Sequence, residues 1–258
     1  TQPALMTRRE AILRASAVLG GTALIVPLTV RSDILRKEYP VLLFTSLGVY
    51  LLLFDQTLER ANAILMGAAL VFCLLLLIRI GRERSGPDPL ADELETEIPS
   101  DVSSPAAIGW LLLGLALLIL SSRLLVWGAV DIATALGVSD LVIGLTIVAV
   151  GTSLPELAAS IMSALKNEPD LAIGNVIGSN LWNLLAVLTI PGLLAPGPVD
   201  PEVLQRDIPV MLGLTLALFA MGRGARTHGD INRIEGGLLV TCFIAYQGWL
   251  VWQSQVGA

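Results

Sequence analysis

Eight apolar blocks constrain this chain more than anything else in it: residues 15–30, 39–54, 61–78, 104–122, 139–165, 171–197, 208–222 and 236–254. Several approach or exceed the roughly 20 residues that cross a bilayer as helix. The shortest can be tilted or tucked between neighbours. None alternates polar and apolar residues as a membrane strand does. In lipid each backbone N–H and C=O needs a partner inside the protein, which helices supply within one segment. The blocks therefore predict an all-α, polytopic membrane protein with about eight transmembrane segments. Composition agrees, with 54% hydrophobic and only 15% charged residues, more apolar and less charged than soluble domains. No basic, aromatic-interleaved surface points to nucleic acid.

The connecting segments alternate in basic content. Arg31, Arg36, Lys37, then Arg79, Arg82, Arg84, then Lys166, then Arg223, Arg226, Arg233 fall on one side; Arg60, Arg123 and Arg206 fall on the other. The basic side is expected in the cytoplasm, which leaves the C-terminus outside. The net charge of −6 is mostly local, from Asp88, Asp92, Glu93, Glu95, Glu97 and Asp101. These lie in a Pro- and Ser-containing stretch, 85–105, expected as a solvated cytoplasmic linker between two helical halves, 15–84 and 106–258. Residues 1–14 break the alternation through Arg8, Arg9 and Arg14, and the chain starts at Thr1; both suggest a natural N-terminus that is missing or altered. Cys73 and Cys242, each inside an apolar block, read as small hydrophobes, not as a disulfide or metal pair. His228 stands alone in a polar loop and makes no metal site.

The chain also matches itself. Ala17-Val18-Leu19 with Pro27 corresponds to Ala186-Val187-Leu188 with Pro196, and Leu35-Arg36-Lys37-Glu38-Tyr39-Pro40-Val41 to Leu204-Gln205-Arg206-Asp207-Ile208-Pro209-Val210. After a small insertion Leu58-Glu59-Arg60 falls on Ile231-Asn232-Arg233. A register shared over three blocks marks an internal repeat. An odd number of crossings separates the copies, so they lie in opposite orientation. Inverted repeats build many secondary transporters, with the ion site at the repeat interface near the midplane.

The chemistry concentrates in Gly151-Thr152-Ser153-Leu154-Pro155-Glu156 and Gly174-Asn175-Val176-Ile177-Gly178-Ser179-Asn180. Pro155 removes an amide hydrogen and clashes with the carbonyl of Gly151, so the helix is expected to kink or unwind near Gly151-Thr152. Thr152 and Glu156 share a face, with Ser153 adjacent. Asn175, Ser179 and Asn183 form an i, i+4, i+8 stripe, and Gly174 with Gly178 gives a small-residue face for close helix approach. Taken singly, each feature has a plainer reading: interhelical glue for the hydroxyls and amides, a structural carboxyl for Glu156, an ordinary kink for Pro155. Together in one helical hairpin they compose an oxygen cage for a hard cation. Ser153 has no histidine or lysine near it at membrane depth to activate it as a nucleophile, so no enzyme is expected.

The run Gly144-Leu145-Thr146-Ile147-Val148-Ala149-Val150-Gly151-Thr152-Ser153-Leu154-Pro155-Glu156-Leu157, followed by Gly174 to Asn183, resembles the second alpha-repeat of the sodium/calcium exchanger family, in its prokaryotic calcium/sodium antiporter branch. The resemblance covers roughly residues 15–254. It implies an inverted-repeat fold of ten helices, of which this chain carries the third to the tenth and lacks the first two. It implies Glu156 as a carboxylate binding calcium and sodium in alternation, Thr152, Ser153, Ser179 and Asn183 as oxygen ligands, the Ala149 carbonyl as a backbone sodium ligand, and Asn175 as a helix-stabilising or ligand amide. Asn183 stands where relatives carry Asp or Asn. The implied activity is Ca2+/Na+ antiport by alternating access in a prokaryotic inner membrane, with Ca2+ and Na+ as cargo, the bilayer as surroundings, no cofactor and no protein partner. The first alpha-repeat's Thr-Ser and Glu have no counterpart in residues 1–14, where Glu10 and Arg14 fall opposite Ser179 and Asn183. Two alternatives stay open: a truncated, non-transporting remnant of such an antiporter, and an exchanger using K+ or H+ as counter-ion.

Overall fold

The computed structural model describes residues 14–30, 32–83, 103–138, 140–223 and 229–256. The N-terminal segment up to residue 13, most of the acidic linker 85–105 and the loop holding His228 lie outside the described residues. In chain order the elements are α1 (Arg14–Ile25), β1 (Leu28–Val30), α2 (Ser32–Leu52), β2 (Thr57–Leu58), α3 (Arg60–Glu83) and α4 (Ser104–Ala135). A broken segment follows: α5 (Asp140–Ile143), π1 (Gly144–Val148), α6 (Ala149–Thr152) and α7 (Leu154–Leu165). The rest is α8 (Pro169–Leu194), β3 (Gly197–Pro198), π2 (Val203–Asp207), α9 (Ile208–Arg223), β4 (Gly229–Ile231) and α10 (Arg233–Val256).

Each apolar block thus becomes a helical unit, though not all are simple spans. Five stretches of helix are each long and apolar enough to cross a membrane, in α3, α4, α8, π2–α9 and α10, and the bent pair Thr146–Thr152 and Leu154–Leu165 makes a sixth. Helix α2 misses because its first two turns carry Asp33, Arg36, Lys37 and Glu38. Helix α1 has 12 residues, roughly 18 Å at 1.5 Å per residue. One expectation is corrected. The loop placed after residue 122 is helix: α4 runs unbroken to Ala135, so Arg123 lies inside it. Leu124-Leu125-Val126-Trp127 continue the apolar character and no Pro or capping residue stops the helix there.

Helix α8 forms the centre. Ile173, Val176, Ile177, Leu181, Leu184 and Leu185 are buried in it, against α3 on one side and α7 on the other. Between apolar helices in lipid there is little hydrophobic drive, so close contact depends on small residues. A Cβ on Gly236 of α10 would come to 2.8 Å from the Gly20 carbonyl and 3.0 Å from the Cβ of Ala23, both on α1. A Cβ on Gly192 of α8 would meet the Cβ of Ala63, on α3, at 2.6 Å.

These two crossings are equivalents in the repeat register. Helix α1 ends at Ile25 and α8 at Leu194; α3 begins at Arg60 and α10 at Arg233. Helix α1 packs on α10 as α8 packs on α3. Strand β1, after α1, pairs antiparallel with β4, before α10; β3, after α8, pairs antiparallel with β2, before α3. Exchanging the copies maps each contact onto the other, as a two-fold relation requires. Beside β2, Asp55 accepts hydrogen bonds from the Thr57 hydroxyl at 2.8 Å and the Thr57 amide at 3.1 Å, which hold its carboxyl below the ordinary carboxylate range.

The copies differ where π2 opens α9. There the Arg206 Nε donates to Asp207 at 2.6 Å, its Nη1 donates to Gln253 at 2.8 Å, and the Tyr246 hydroxyl donates to Asp207. Arg206 also stacks over Trp249, 5.2 Å from the ring centre. This cluster ties π2 to α10.

Candidate cation site

The site is built on a helix that the sequence breaks twice. π1 (Gly144–Val148) widens the helix by one residue, and Ser153 then interrupts it, so that Thr146–Thr152 and Leu154–Leu165 diverge by 43°. The break falls beside the predicted Gly151-Thr152. Pro155 has no N–H to give the Gly151 carbonyl. That carbonyl accepts a backbone N–H at the end of α6 and a hydrogen bond from the Ser122 hydroxyl of α4 at 3.0 Å. A carbonyl that has lost its helical partner is costly in lipid, and Ser122 adds a second donor at the break. Gly151 is required as well: a Cβ there would lie 2.0 Å from Cγ2 of Val126 on α4.

Glu156 sits in the first turn of α7, where the positive end of the helix dipole favours a carboxylate. Ser153 caps this helix by position, and Ser-x-x-Glu is the pattern of a capping box. The box does not form. The Ser153 side chain makes no capping hydrogen bond, and the Ser153 amide donates to the Val150 carbonyl at 3.0 Å. Neither the hydroxyl nor the carboxylate is consumed in closing the helix end, although both are half-buried.

Asn175 fixes α8 against this turn. Its Nδ2 donates to the Glu156 carbonyl at 3.1 Å and to the Ser160 hydroxyl at 3.0 Å. Both protons of the amide are spent on α7, which bridges the helices and leaves its Oδ1 as an acceptor. Ser179 and Asn183 follow on the same stripe of α8, both half-buried. The helices α7 and α8 leave a common tight turn at Lys166–Glu168, with Asn167 at a φ of 60°. Counting equal lengths of helix from that turn brings Ser179 level with the Ser153–Glu156 end of α7. The Ser179 hydroxyl donates to the Val176 carbonyl at 3.1 Å, which leaves its oxygen as an acceptor. The Thr152 hydroxyl donates to the Ala149 carbonyl at 3.1 Å, so these two oxygens lie side by side.

Ala149, Thr152, Ser153 and Glu156 fall on the broken helix, and Asn175, Ser179 and Asn183 on one stripe of α8 that Asn175 joins to α7. The predicted glycine face is corrected: a Cβ on Gly174 or Gly178 would meet nothing within 4 Å. The close approach is made by Gly151 instead. Ser122 and Ser160 were missed by sequence reasoning. The polar pair Ser122-Arg123, interrupting an apolar helix, was the available signal for the first. Among the described residues no group of three His, Cys, Asp or Glu is placed to hold a metal, so a cation here would depend on neutral oxygens as well as on Glu156. Cys73 and Cys242 are both free thiols.

Residues 106–252 match the family described as sodium/calcium exchanger protein. The chain is 48% identical over 230 residues to the protein CaxA of Alkalimonas amylolytica, covering 89% of this chain and 72% of that one. It is 38% identical over 247 residues to the inner membrane protein YrbG of Escherichia coli, covering 95% of this chain and 75% of that one. A solved structure of the sodium-calcium exchanger NCX_Mj, soaked with Na+ and Sr2+, superposes with a TM-score of 0.75 at 24% identity, over 94% of this chain and 75% of that one. The likeness is one of fold and extends over most of the chain.

Proposed function

Because the chain belongs to the sodium/calcium exchanger family, an integral membrane family of cation antiporters, we propose that it exchanges Ca2+ against Na+ by alternating access. Glu156 is the carboxylate for which the two ions compete. Thr152, Ser153, Ser179 and Asn183 supply neutral oxygens and the Ala149 carbonyl a backbone oxygen; Asn175 holds the two helices at the spacing these ligands need. Calcium takes six to eight oxygens, at distances that flexible side chains can adjust. A single site cannot open to both sides of the membrane at once, so competition for it couples the two fluxes with no covalent step.

The observation that carries this reading is the uncapped end of α7. Ser153 and Glu156 have the sequence of a capping box and do not form it, at a break whose Gly151 carbonyl also accepts a hydrogen bond from another helix. Residues 15–84 are the remainder of the first inverted repeat, with three transmembrane segments, and 106–258 the second, with five, joined through the linker 85–105 in the cytoplasm, with the C-terminus outside and the inner membrane as location. The test is calcium-45 uptake into proteoliposomes of the full-length gene product, driven in turn by sodium, potassium and proton gradients. Uptake driven by sodium and abolished by Glu156→Gln is expected. Uptake driven only by potassium or protons would replace the counter-ion, and no difference between wild type and Glu156→Gln would remove the site.

A further inference from the structure

An arginine stands at membrane depth beside this site. Arg123 belongs to α4, and its neighbour Ser122 bonds the Gly151 carbonyl at 3.0 Å, so Arg123 is level with the broken turn. That turn stands 12 helical residues from the hairpin end of α7, roughly 18 Å, about halfway through a hydrocarbon core of about 30 Å. Arg123 is exposed. With Ser122, Trp127, Thr152 and Pro155 it lines an open groove of about 550 Å³ between α4 and the break. Among the described residues no carboxylate pairs with it. A guanidinium is costly in bare hydrocarbon and persists where a cavity admits water around it. Thr152, a proposed ligand, borders the same groove. At any given separation a fixed positive charge repels a divalent ion twice as strongly as a monovalent one.

We propose that Arg123 is a specificity-determining residue of the cation site, weakening occupancy by the divalent ion more than occupancy by a single monovalent ion. The inference rests on the cation-site reading of Glu156 and Thr152. It predicts that the charge of Arg123, and not its shape, sets the affinity for calcium.

The experiment is sodium-driven calcium-45 uptake by the full-length protein in liposomes, comparing wild type, Arg123→Gln, Arg123→Lys and Glu156→Gln. The calcium concentration at half-saturation should fall roughly four- to fifteenfold in Arg123→Gln, as for a unit charge about 10 Å from a divalent ion at an effective dielectric of about 40–80. The sodium half-saturation should fall only about two- to fourfold on the same basis, and Arg123→Lys should keep both wild-type values. A second variant covers loss of folding on substitution: Arg123→Cys, with Cys73 and Cys242 replaced by serine. A positively charged methanethiosulfonate should restore its calcium half-saturation and a neutral one should not. Unchanged half-saturation in Arg123→Gln, or a fall in maximal rate alone, overturns the proposal while leaving the exchange reading intact. A wild type that takes up no calcium overturns both.

Discussion

At the residue scale the arrangement turns on which polar atoms are spent and which are not. Asn175 spends both amide protons on α7, and Ser122 spends its proton on the Gly151 carbonyl. Removing Ser122 takes one of two donors from that carbonyl at membrane depth. Ser122→Ala should therefore lower stability by about 0.5–1.5 kcal/mol, measured as a drop in the thermal unfolding midpoint of the purified protein in detergent. Asn175→Ala should cost about 1 kcal/mol, the usual scale of a side-chain hydrogen bond between membrane helices, and should weaken calcium binding because the spacing of Glu156 and Ser179 relaxes. An Asn175→Ala protein with unaltered calcium affinity would show that the bridge does not position the ligands. The candidate ligands were legible in the sequence because each is a polar atom where lipid tolerates few. Ser122 was not, since its partner is 29 residues away and only the fold reveals which side chain reaches the carbonyl that Pro155 leaves.

At the scale of elements the central object is the pair formed by α4 and the broken helix. The break was readable from Gly151 and Pro155 alone, because a proline's missing donor is a local fact. The extent of α4 was not. Arg123 looked like a loop boundary by the usual weighting of charge, and the continuous helix shows that the charge is carried within the span. The glycines behaved likewise: Gly174 and Gly178 have the spacing of a packing motif and pack nothing, whereas Gly151, with no spacing partner, meets Val126 at 2.0 Å from where its Cβ would be. Gly151→Ala should separate α4 from the break and destabilise the protein by about 1–3 kcal/mol, the range of overpacked cores. The double variant Gly151→Ala with Val126→Ala should recover most of that loss in the same unfolding assay. A single variant as stable as wild type would mean that α4 does not approach as described.

On the scale of the whole molecule, two crossings and two short ladders obey one two-fold relation, and sequence matches at Ala17–Leu19, Leu35–Val41 and Leu58–Arg60 had already indicated its register. The matches are few because the copies preserve where helices end and where small residues cross, while the side chains between them diverged; Gly236 at one crossing answers to Ala63 at the other. Leucine at Gly20 or Gly236 should therefore disrupt the fold far more than leucine at Gly48, around which nothing lies within 4 Å; comparable yields of folded protein from all three would contradict the crossing. The cluster of Arg206, Asp207 and Tyr246 departs from the two-fold: Lys37 and Glu38 stand opposite the first two in the repeat register, but Cys73 stands opposite Tyr246. The account as a whole stands on Glu156 as the shared ligand of competing ions. Equilibrium binding of calcium-45 to the purified full-length protein, titrated with sodium, tests that directly. Wild type should bind calcium and release it as sodium rises, and Glu156→Gln should bind none; equal, sodium-insensitive binding by both proteins would contradict it.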